Sequence, residues 1–579
     1  MSHSAVSDER RSNERRFDDE KRDYEKRESS APASSSPDLT EAEVNSHLPH
    51  FRGRTLTALI SFIAGTGFTL FGYDQGVMSA LLTANQFEKT FPQVVESAAH
   101  PNHATLQSFV TAIYEVGCLF GALSNLWVGD LLGRRKTIAI GGIIMIVGAI
   151  LQTTSFSYAQ LVVARIITGF GNGLNTSTVP AYHAECSSAE KRGSYIMLEG
   201  TLIAFGIMVS YWIDFGFYWI KGSSAQWRVP ISMQIVFAVI MIIGVVILPE
   251  SPRWLAKKGR NAEALAVLAA LRDRPYTDHD VQQTYHGIRE AVYLEEQTAS
   301  STDLKVLFTH GPKQNFRRAA LAVTVQCFQQ ITGINLITYY ATVLFERLGL
   351  SDVDSRIIAA CNGTEYFLAS FLGIYLIDRV GRRPLILTCA AGQSLTMVLL
   401  AILGAIDNSA TQIVSAVLLF VFNSFFAVGF LGLTWLYAAE VVGLNIRAPA
   451  NALSTASNWI FNFVVVMIVG PSFQNINWGT YIVFASLNAL IFPVSWYFFV
   501  ETRGRSLEDM DIIFAVGYRE GVSPVKVAAR RDLPLAGTPE ADEVLGISVA
   551  HREKIREARV GRTSSDGASS DSGPTATSV

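Results

Sequence analysis

Charged residues are scarce where a folded, water-facing surface would need them. The 579 residues contain 47 Lys+Arg and 50 Asp+Glu, 17% of the chain, against about 25% in soluble globular proteins. Residues 1–54, 249–318 and 501–579 hold 66 of these charges, leaving 31 for the other 376 residues. That distribution excludes a soluble multidomain enzyme. A net charge of −3 excludes a general nucleic-acid footprint. The five cysteines (Cys118, Cys186, Cys327, Cys361, Cys389) sit in or beside apolar runs and offer neither a disulfide framework nor metal-ligand spacing. There is no nucleophile–base arrangement and no phosphate loop, so neither enzymatic chemistry nor a cofactor is expected. No cleavable signal precedes the first apolar run, which must then be its own targeting signal.

What the chain has instead is apolar sequence in bilayer-crossing lengths, about 20 helical residues each. The runs lie near 55–82, 105–128, 137–154, 159–181, 194–215, 229–248, 318–340, 356–377, 385–405, 411–437, 452–470 and 479–500. They predict an all-α membrane protein with twelve transmembrane helices in two six-helix bundles. Interruptions such as GFGNGLNTSTVP at 169–180 suit helices that line a cavity rather than face lipid. Small-residue helix packing explains the glycines there but not the Asn and Thr. The expected organisation is a disordered cytoplasmic tail at 1–54, a first bundle at 55–248, a cytoplasmic linker with short helices at 249–317, a second bundle at 318–500 and a cytoplasmic tail at 501–579. Within the linker, NAEALAVLAALRD at 261–273 reads as a short amphipathic helix. Loops after even-numbered spans carry 20 positive residues and the opposite loops four (Lys89, Lys221, Arg228, Arg347). Without the long linker the ratio is nine to four, which places both termini in the cytoplasm.

The chain repeats itself at about 250 residues. GDLLGRRK at 129–136 returns as IDRVGRRP at 377–384, AECSSAEKRG at 184–193 as AEVVGLNIRA at 439–448, and PESPRWL at 249–255 is answered by VETRGRSLED at 500–509. Three pairs at one offset indicate a duplicated six-helix unit, as in many transporters. The repeated charges are Asp130, Arg134, Arg135, Glu185, Arg192 and Glu250 in the first half. Their counterparts are Asp378, Arg382, Arg383, Glu440, Arg447 and Glu501. The expectation is that acid–Arg pairs across neighbouring helix ends hold the cytoplasmic side closed and separate when it opens. The arginines could also serve only to set topology, although the acids repeat with them.

A few charges remain inside the spans. A charge at the bilayer centre costs about 2.5–3.5 kcal/mol even on insertion scales, so each is a functional candidate. Asp74 in the first span and Arg165 in the fourth lie at similar depth and are each other's expected partner, for proton coupling or as a structural buried pair. Glu115, Glu199 and Glu365 also lie within or at the edge of spans. A cytoplasmic-end position accounts for Glu199, and Glu365 is open to a cavity role or a second proton site.

These motifs resemble the sugar-porter branch of the major facilitator superfamily over roughly 55–515. The resemblance rests on FGYDQG at 71–76, the two GRR loops, the two Glu/Arg loops, PESPRWL, QQITGIN at 329–335, NW at 458–459 and VETRGRSLE at 500–508. It implies the major facilitator fold, a central solute site and alternating access. Within the branch, GLNTSTVPAYHAECSSAEKRG at 173–193, LEGTLIAFG at 198–206 and YWIDFGF at 211–217 are similar to fungal proton–glycerol symporters and their sugar-transporter-like relatives. The resemblance assigns Asp74 and Arg165 the proton switch, an acid that facilitators lack. It implies a solute site of Gln329, Gln330, Asn335, Trp435, Asn458, Trp459 and Asn462, with Tyr339 and Tyr340 at the extracellular gate. Aromatic faces and amides together suit a sugar, whose hydroxyls lie on its rim and C–H groups on its faces. On a continuous helix Asn335 would lie some 120° from Gln329.

The chain also departs from the hexose pattern. Gly200 stands for a fifth-helix Gln, Tyr366 for an eighth-helix Asn, Thr434 for a tenth-helix Pro and Ala427 for an acid. A smaller polyol, or a sugar held differently, gains from this. The expected function is a monomeric plasma-membrane proton symporter for a small polyhydroxylated solute. A facilitative uniporter and a non-transporting nutrient sensor are the alternatives. The acid at Asp74 speaks against the first, and a C-terminal tail of only 79 residues against the second.

Overall fold

A computed structural model describes residues 41–187, 192–298, 304–406, 408–443, 446–530, 533–534 and 539–545. The predicted disorder of 1–48 and 562–579 falls almost wholly outside them. Twelve long helices occur among the described residues: α1 Gly53–Leu81, α2 His103–Leu132, α3 Arg134–Thr153, α4 Tyr158–Glu185, α5 Arg192–Tyr218, α6 Ala225–Ile247, α7 Asn315–Ile331, α8 Asp352–Val380, α9 Arg382–Ile406, α10 Ser409–Phe426, α11 Arg447–Asn475 and α12 Gly479–Phe498. The first six and the last six form the two bundles of the major facilitator fold, and α2 against α11 and α5 against α8 join them.

Eleven of these helical stretches are long and apolar enough to cross a membrane; α4 falls short on apolarity. Its 28 residues still reach about 42 Å at 1.5 Å per residue. Its polar residues Asn172, Asn175, Thr176 and Thr178 are buried, because α4 is wedged between α2 and α3. A Cβ added to Gly169 or Gly173 would lie 2.1 Å from the carbonyl oxygen of Tyr114 or Cys118 on α2. The glycines thus admit close backbone contact, and the neighbours shield the polar groups from lipid. Phe62, Trp127, Ile243, Val417 and Leu490 are exposed, as lipid-facing residues should be.

Two helices are broken. The α7 helix stops at Ile331 and resumes as Ile334–Thr338 and Ala341–Arg347. Gly333 takes φ +91° at the break, where a Cβ would strike the Phe484 ring at 2.7 Å. Asn488 Nδ2 donates to the freed Thr332 carbonyl at 2.8 Å. The α10 helix widens into a π turn over Ala427–Leu431 and continues as Leu433–Val441. Such turns leave carbonyls without helical partners and mark functional sites in many proteins.

The charged stretch folds as Pro252–Lys257, Asn261–Arg272 and His279–Thr298. Beyond residue 501 the structure departs from a plain tail. A helix at Leu507–Glu520 starts on a capping box of Ser506 and Asp509 and buries Ile512, Ile513 and Phe514. Arg318 at the start of α7 pairs with Asp511 on this helix.

Candidate functional site

The two turns that precede α3 and α9 sit at one end of the bundles, called here the GRR end, and obey one design. Gly133 (φ +88°) and Gly381 (φ +105°) turn the chain into each helix. Each has a carboxylate where its side chain would be: a Cβ would meet Glu250 Oε2 at 2.6 Å and Glu501 Oε2 at 2.7 Å. Glu250 accepts from the backbone N–H of Arg134 (3.0 Å), Arg135 (3.3 Å) and Ser251 (2.9 Å). Glu501 accepts from those of Arg382 (3.0 Å), Arg383 (3.1 Å), Thr502 (3.0 Å) and Arg503 (2.9 Å). Both acids therefore bind orphan amides at helix N-termini, not guanidinium groups. Burial raises the Glu250 carboxyl above its ordinary range, and the amide donors offset this in part.

The guanidinium groups go elsewhere. Arg134 makes a two-pronged contact with Glu185 (3.1 and 3.0 Å) and reaches Asp130 at 3.3 Å. Arg382 does the same with Glu440 (3.1 and 2.9 Å) and with Asp378 at 2.9 Å. Ser251 Oγ donates to Glu185 at 2.5 Å, as Thr502 Oγ1 does to Glu440 at 2.6 Å. Arg135 donates to the Val245 and Val246 carbonyls that end α6, and Arg383 to the Trp496 carbonyl at 2.6 Å near the end of α12. These last two are helix-end caps. All of these contacts join neighbouring helices of one bundle. The Arg192 side chain lies outside the described residues; Arg447 is half-buried at the start of α11.

Among the described residues, polar contacts between the bundles are found in the other half of the molecule. Arg356 on α8 donates to the carbonyls of Ala80 (2.8 Å) and Thr83 (3.0 Å) and to Thr83 Oγ1 (2.8 Å) at the end of α1. It also pairs with Asp352 at 2.9 Å and lies over the Tyr218 ring at 4.5 Å. Tyr218 donates to Asp352 at 2.5 Å, Tyr211 to the Thr338 carbonyl at 2.6 Å and Tyr340 to Ser108 at 3.1 Å. Tyr339 donates to Glu115 on α2. Toward the GRR end two glycines face each other, with the ideal Cβ of Gly200 only 3.0 Å from Gly432 Cα and Met197 packed beside them.

Asp74 and Arg165 are both fully buried. Arg165 Nη1 reaches Asp74 Oδ1 at 3.4 Å. The guanidinium also donates to the Val110 (3.3 Å) and Thr111 (3.1 Å) carbonyls of α2 and rests on the Tyr114 ring at 4.8 Å. Arg165 is therefore held without Asp74, whereas Asp74 Oδ2 has no hydrogen-bond partner among the described residues. The residue after Tyr114 is Glu115, so one stretch of α2 carries both the seat of Arg165 and the acceptor for Tyr339.

The amides of α7 and α11 form a network. Gln329 Nε2 donates to the Phe430 and Leu431 carbonyls freed by the π turn, both at 2.9 Å. Asn458 Nδ2 donates to Gln329 Oε1 (2.6 Å) and Gln326 Oε1 (2.7 Å), and Gln330 Nε2 to Asn458 Oδ1 (3.1 Å). Asn335 Nδ2 reaches Gln330 and Asn462, each at 2.6 Å. The break at Gly333 defeats the continuous-helix spacing and brings Asn335 back onto Gln330. Three buried donors stay unpaired here: Gln326 Nε2, Asn462 Nδ2 and Trp459 Nε1. Trp459 meets Phe71 of α1 edge-on at 5.4 Å. Trp435 is half-buried beyond the π turn, with no hydrogen bond to the amides among the described residues.

The residues flagged as departures have their own places. Thr434 Oγ1 donates to the Phe430 carbonyl at 2.9 Å. Tyr366 is buried, its ring 6.2 Å from that of Phe426. Glu365 accepts from Ser424 of α10. Gln326, absent from the sequence-based site, sits one turn before Gln330 and is visible by spacing, whereas Glu115, a span charge without a role in the sequence, gains one from Tyr339.

Residues 59–514 match the "Sugar (and other) transporter" family. The chain is 41% identical over 497 residues to Sugar transporter STL1 of Saccharomyces cerevisiae, covering 85% of this chain and 86% of that one. It is 37% identical over 494 residues to the major facilitator superfamily transporter mfsA of Aspergillus fumigatus, covering 83% and 90%. The structure of the proton:xylose symporter XylE bound to 6-bromo-6-deoxy-D-glucose shares the fold at a TM-score of 0.67 and 23% identity, covering 79% of this chain and 99% of that one. The chain thus belongs to the sugar transporter family of the major facilitator superfamily, and is a multi-pass membrane protein.

Proposed function

We propose that the chain is a proton-coupled symporter that imports a small polyhydroxylated solute, a sugar or a polyol such as glycerol. It would act as a monomer in the plasma membrane with both ends in the cytoplasm and need no cofactor. The observation that carries this reading is the asymmetry of the buried ion pair. Arg165 keeps two carbonyls and an aromatic face whatever Asp74 does, while Asp74 has one long contact and one empty oxygen. A proton on Asp74 removes the attraction between α1 and α4 while Arg165 keeps its hydrogen bonds to the α2 carbonyls. The solute site in this reading is the amide network with Trp459, whose three unpaired donors suit hydroxyl oxygens. Tyr339 and Tyr340 then close over it from the outside. Solute bound between α7 and α1 draws the two bundles together, and the small-residue contact at Gly200 and Gly432 parts on the cytoplasmic side at little polar cost. That a XylE structure is described as a proton:xylose symporter, and that STL1 is described as a sugar transporter, agrees with this assignment.

The test is to offer glycerol, glucose and other sugars and polyols in turn to starved cells making the full chain, with external pH and labelled uptake recorded together. Uptake accompanied by alkalinisation of the medium is expected for the transported solute. Uptake with no pH change for any solute would leave a facilitative uniporter.

A further inference from the structure

Close to the GRR end, α1, α4 and α5 meet around one imidazole. His183 of α4 lies 2.9 Å through Nδ1 from Glu199 Oε1 of α5, and 3.0 Å through Nε2 from Ser61 Oγ of α1. The Tyr195 ring covers it at a centroid distance of 4.4 Å. His183 is 2% exposed and Glu199 5%, while Ser61 and Tyr195 are half-buried and form the lip of the cluster. The cluster is remote from Asp74: along α1 from Ser61 it is about 20 Å, and along α4 from Arg165 to His183 about 27 Å.

Neutral side chains could tie three helices together with the same hydrogen bonds. An imidazole touching a carboxylate instead shares one exchangeable proton. With that proton the pair is neutral overall; one more leaves a net positive charge and one fewer a net negative charge. Among the described residues no further ion pair compensates either change. From α1 the facing group is Ser61, and from α5 Glu199 and Tyr195. On α4 itself, Glu185 is turned to Arg134 at 3.0 Å, and among the described residues no ion pair other than His183 reaches Glu199. An uncompensated buried charge is strongly unfavourable, so a change in proton count must move the helices or admit water. The next residue on α5 is Gly200, the contact point with Gly432 of the other bundle.

We propose that Ser61, His183 and Glu199 form a second proton-binding site, separate from Asp74, that exchanges its proton with water at the GRR end and sets how α5 seats on α10. The proposal rests on the reading of the chain as a proton-coupled transporter, to which it adds a second place where a proton is held and released. In release, the Glu199 O–H bond breaks as the His183 Nδ1–H bond forms. The proton on Nε2 passes to Ser61 Oγ as the hydroxyl's own proton leaves to water. Glu199 is left ionised, His183 neutral and one proton freed.

The experiment needs no solute: pH-difference infrared spectroscopy of the full-length protein in lipid vesicles. Wild type is expected to show a carboxylic C=O band that is lost in Glu199→Gln and displaced in His183→Gln. The band is retained in Asp74→Asn, so this result stands or falls independently of the coupling role of Asp74. A Glu199→Gln spectrum identical to that of wild type overturns the proposal. Ser61→Ala keeps both titrating groups and is expected to slow the appearance of the band after a pH jump at least about threefold. An unchanged rate overturns the route through Ser61.

Discussion

Arg356 is the most direct handle on the closed end of the bundles. It is buried at 3% exposure and sends three hydrogen bonds from α8 to the end of α1. Arg356→Ala removes all three. Hydrogen bonds to charged groups contribute about 1.5–3 kcal/mol each and neutral ones about 1. The freed carbonyls of Ala80 and Thr83 are at a helix end and can bind water once the end opens, so we take the lower figure. The sum is about 3 kcal/mol, or about 150-fold in the equilibrium between states closed and open at this end. The pair with Asp352 adds little, because that carboxylate is 42% exposed and screened. The assay is pulsed electron resonance between spin labels on Asn85→Cys and Ala410→Cys, both exposed, in a background without the native cysteines. Arg356→Ala should move most of the distance distribution to longer values, and Arg356→Lys, with one prong instead of a fork, should fall between. Identical distributions in wild type and Arg356→Ala would refute the assignment of Arg356 as the latch.

Three further outcomes follow from the geometry. Gly133→Ala forces a side chain into φ +88° and onto Glu250 Oε2, whereas Gly259→Ala meets φ +73° in open space. Strain of about 1–2 kcal/mol is common to both, so the clash with Glu250 is what should make thermal unfolding of Gly133→Ala begin several degrees below that of Gly259→Ala; equal values would remove Glu250 from the turn. Gly200→Gln, which supplies the amide that hexose carriers have there, must push Gly432 away from a Cβ at 3.0 Å. It is expected to cut uptake of the transported solute at least tenfold, and uptake at the wild-type rate would show that α5 and α10 have room. Tyr339→Phe deletes the link to Glu115 while keeping the ring. Labelled solute exchange should then lose affinity by about fivefold to tenfold, corresponding to about 1–1.4 kcal/mol for one bond; unchanged affinity would place Tyr339 outside the gate.

The helices were legible because charge is absent from them, and the repeat was legible because Gly, Arg and Glu recur at one offset. Even α4, less apolar than the other eleven, is legible as a run at 159–181, and its Asn and Thr mark it as facing protein rather than lipid. Spacing could not say which donor an acid takes. Glu250 and Glu501 were expected to meet arginine side chains and instead bind the backbone amides of the same residues, a choice made by the φ of Gly133 and Gly381. Nor could it see contacts between distant segments: Glu115 and Tyr339 are 224 positions apart, and Ser61, His183 and Glu199 come from three helices. The helix at Leu507–Glu520 had a signal that was passed over, the Ser506–Asp509 capping pattern ahead of an apolar run.

The central claim is that Asp74 carries a proton with each solute molecule. It is tested most directly by charge displacement on solid-supported membranes bearing the full-length protein, with a concentration jump of the solute found to be transported. Wild type should give a current of positive charge moving with the solute. Asp74→Asn should give none while still exchanging labelled for unlabelled solute. A current of wild-type size in Asp74→Asn would contradict the account.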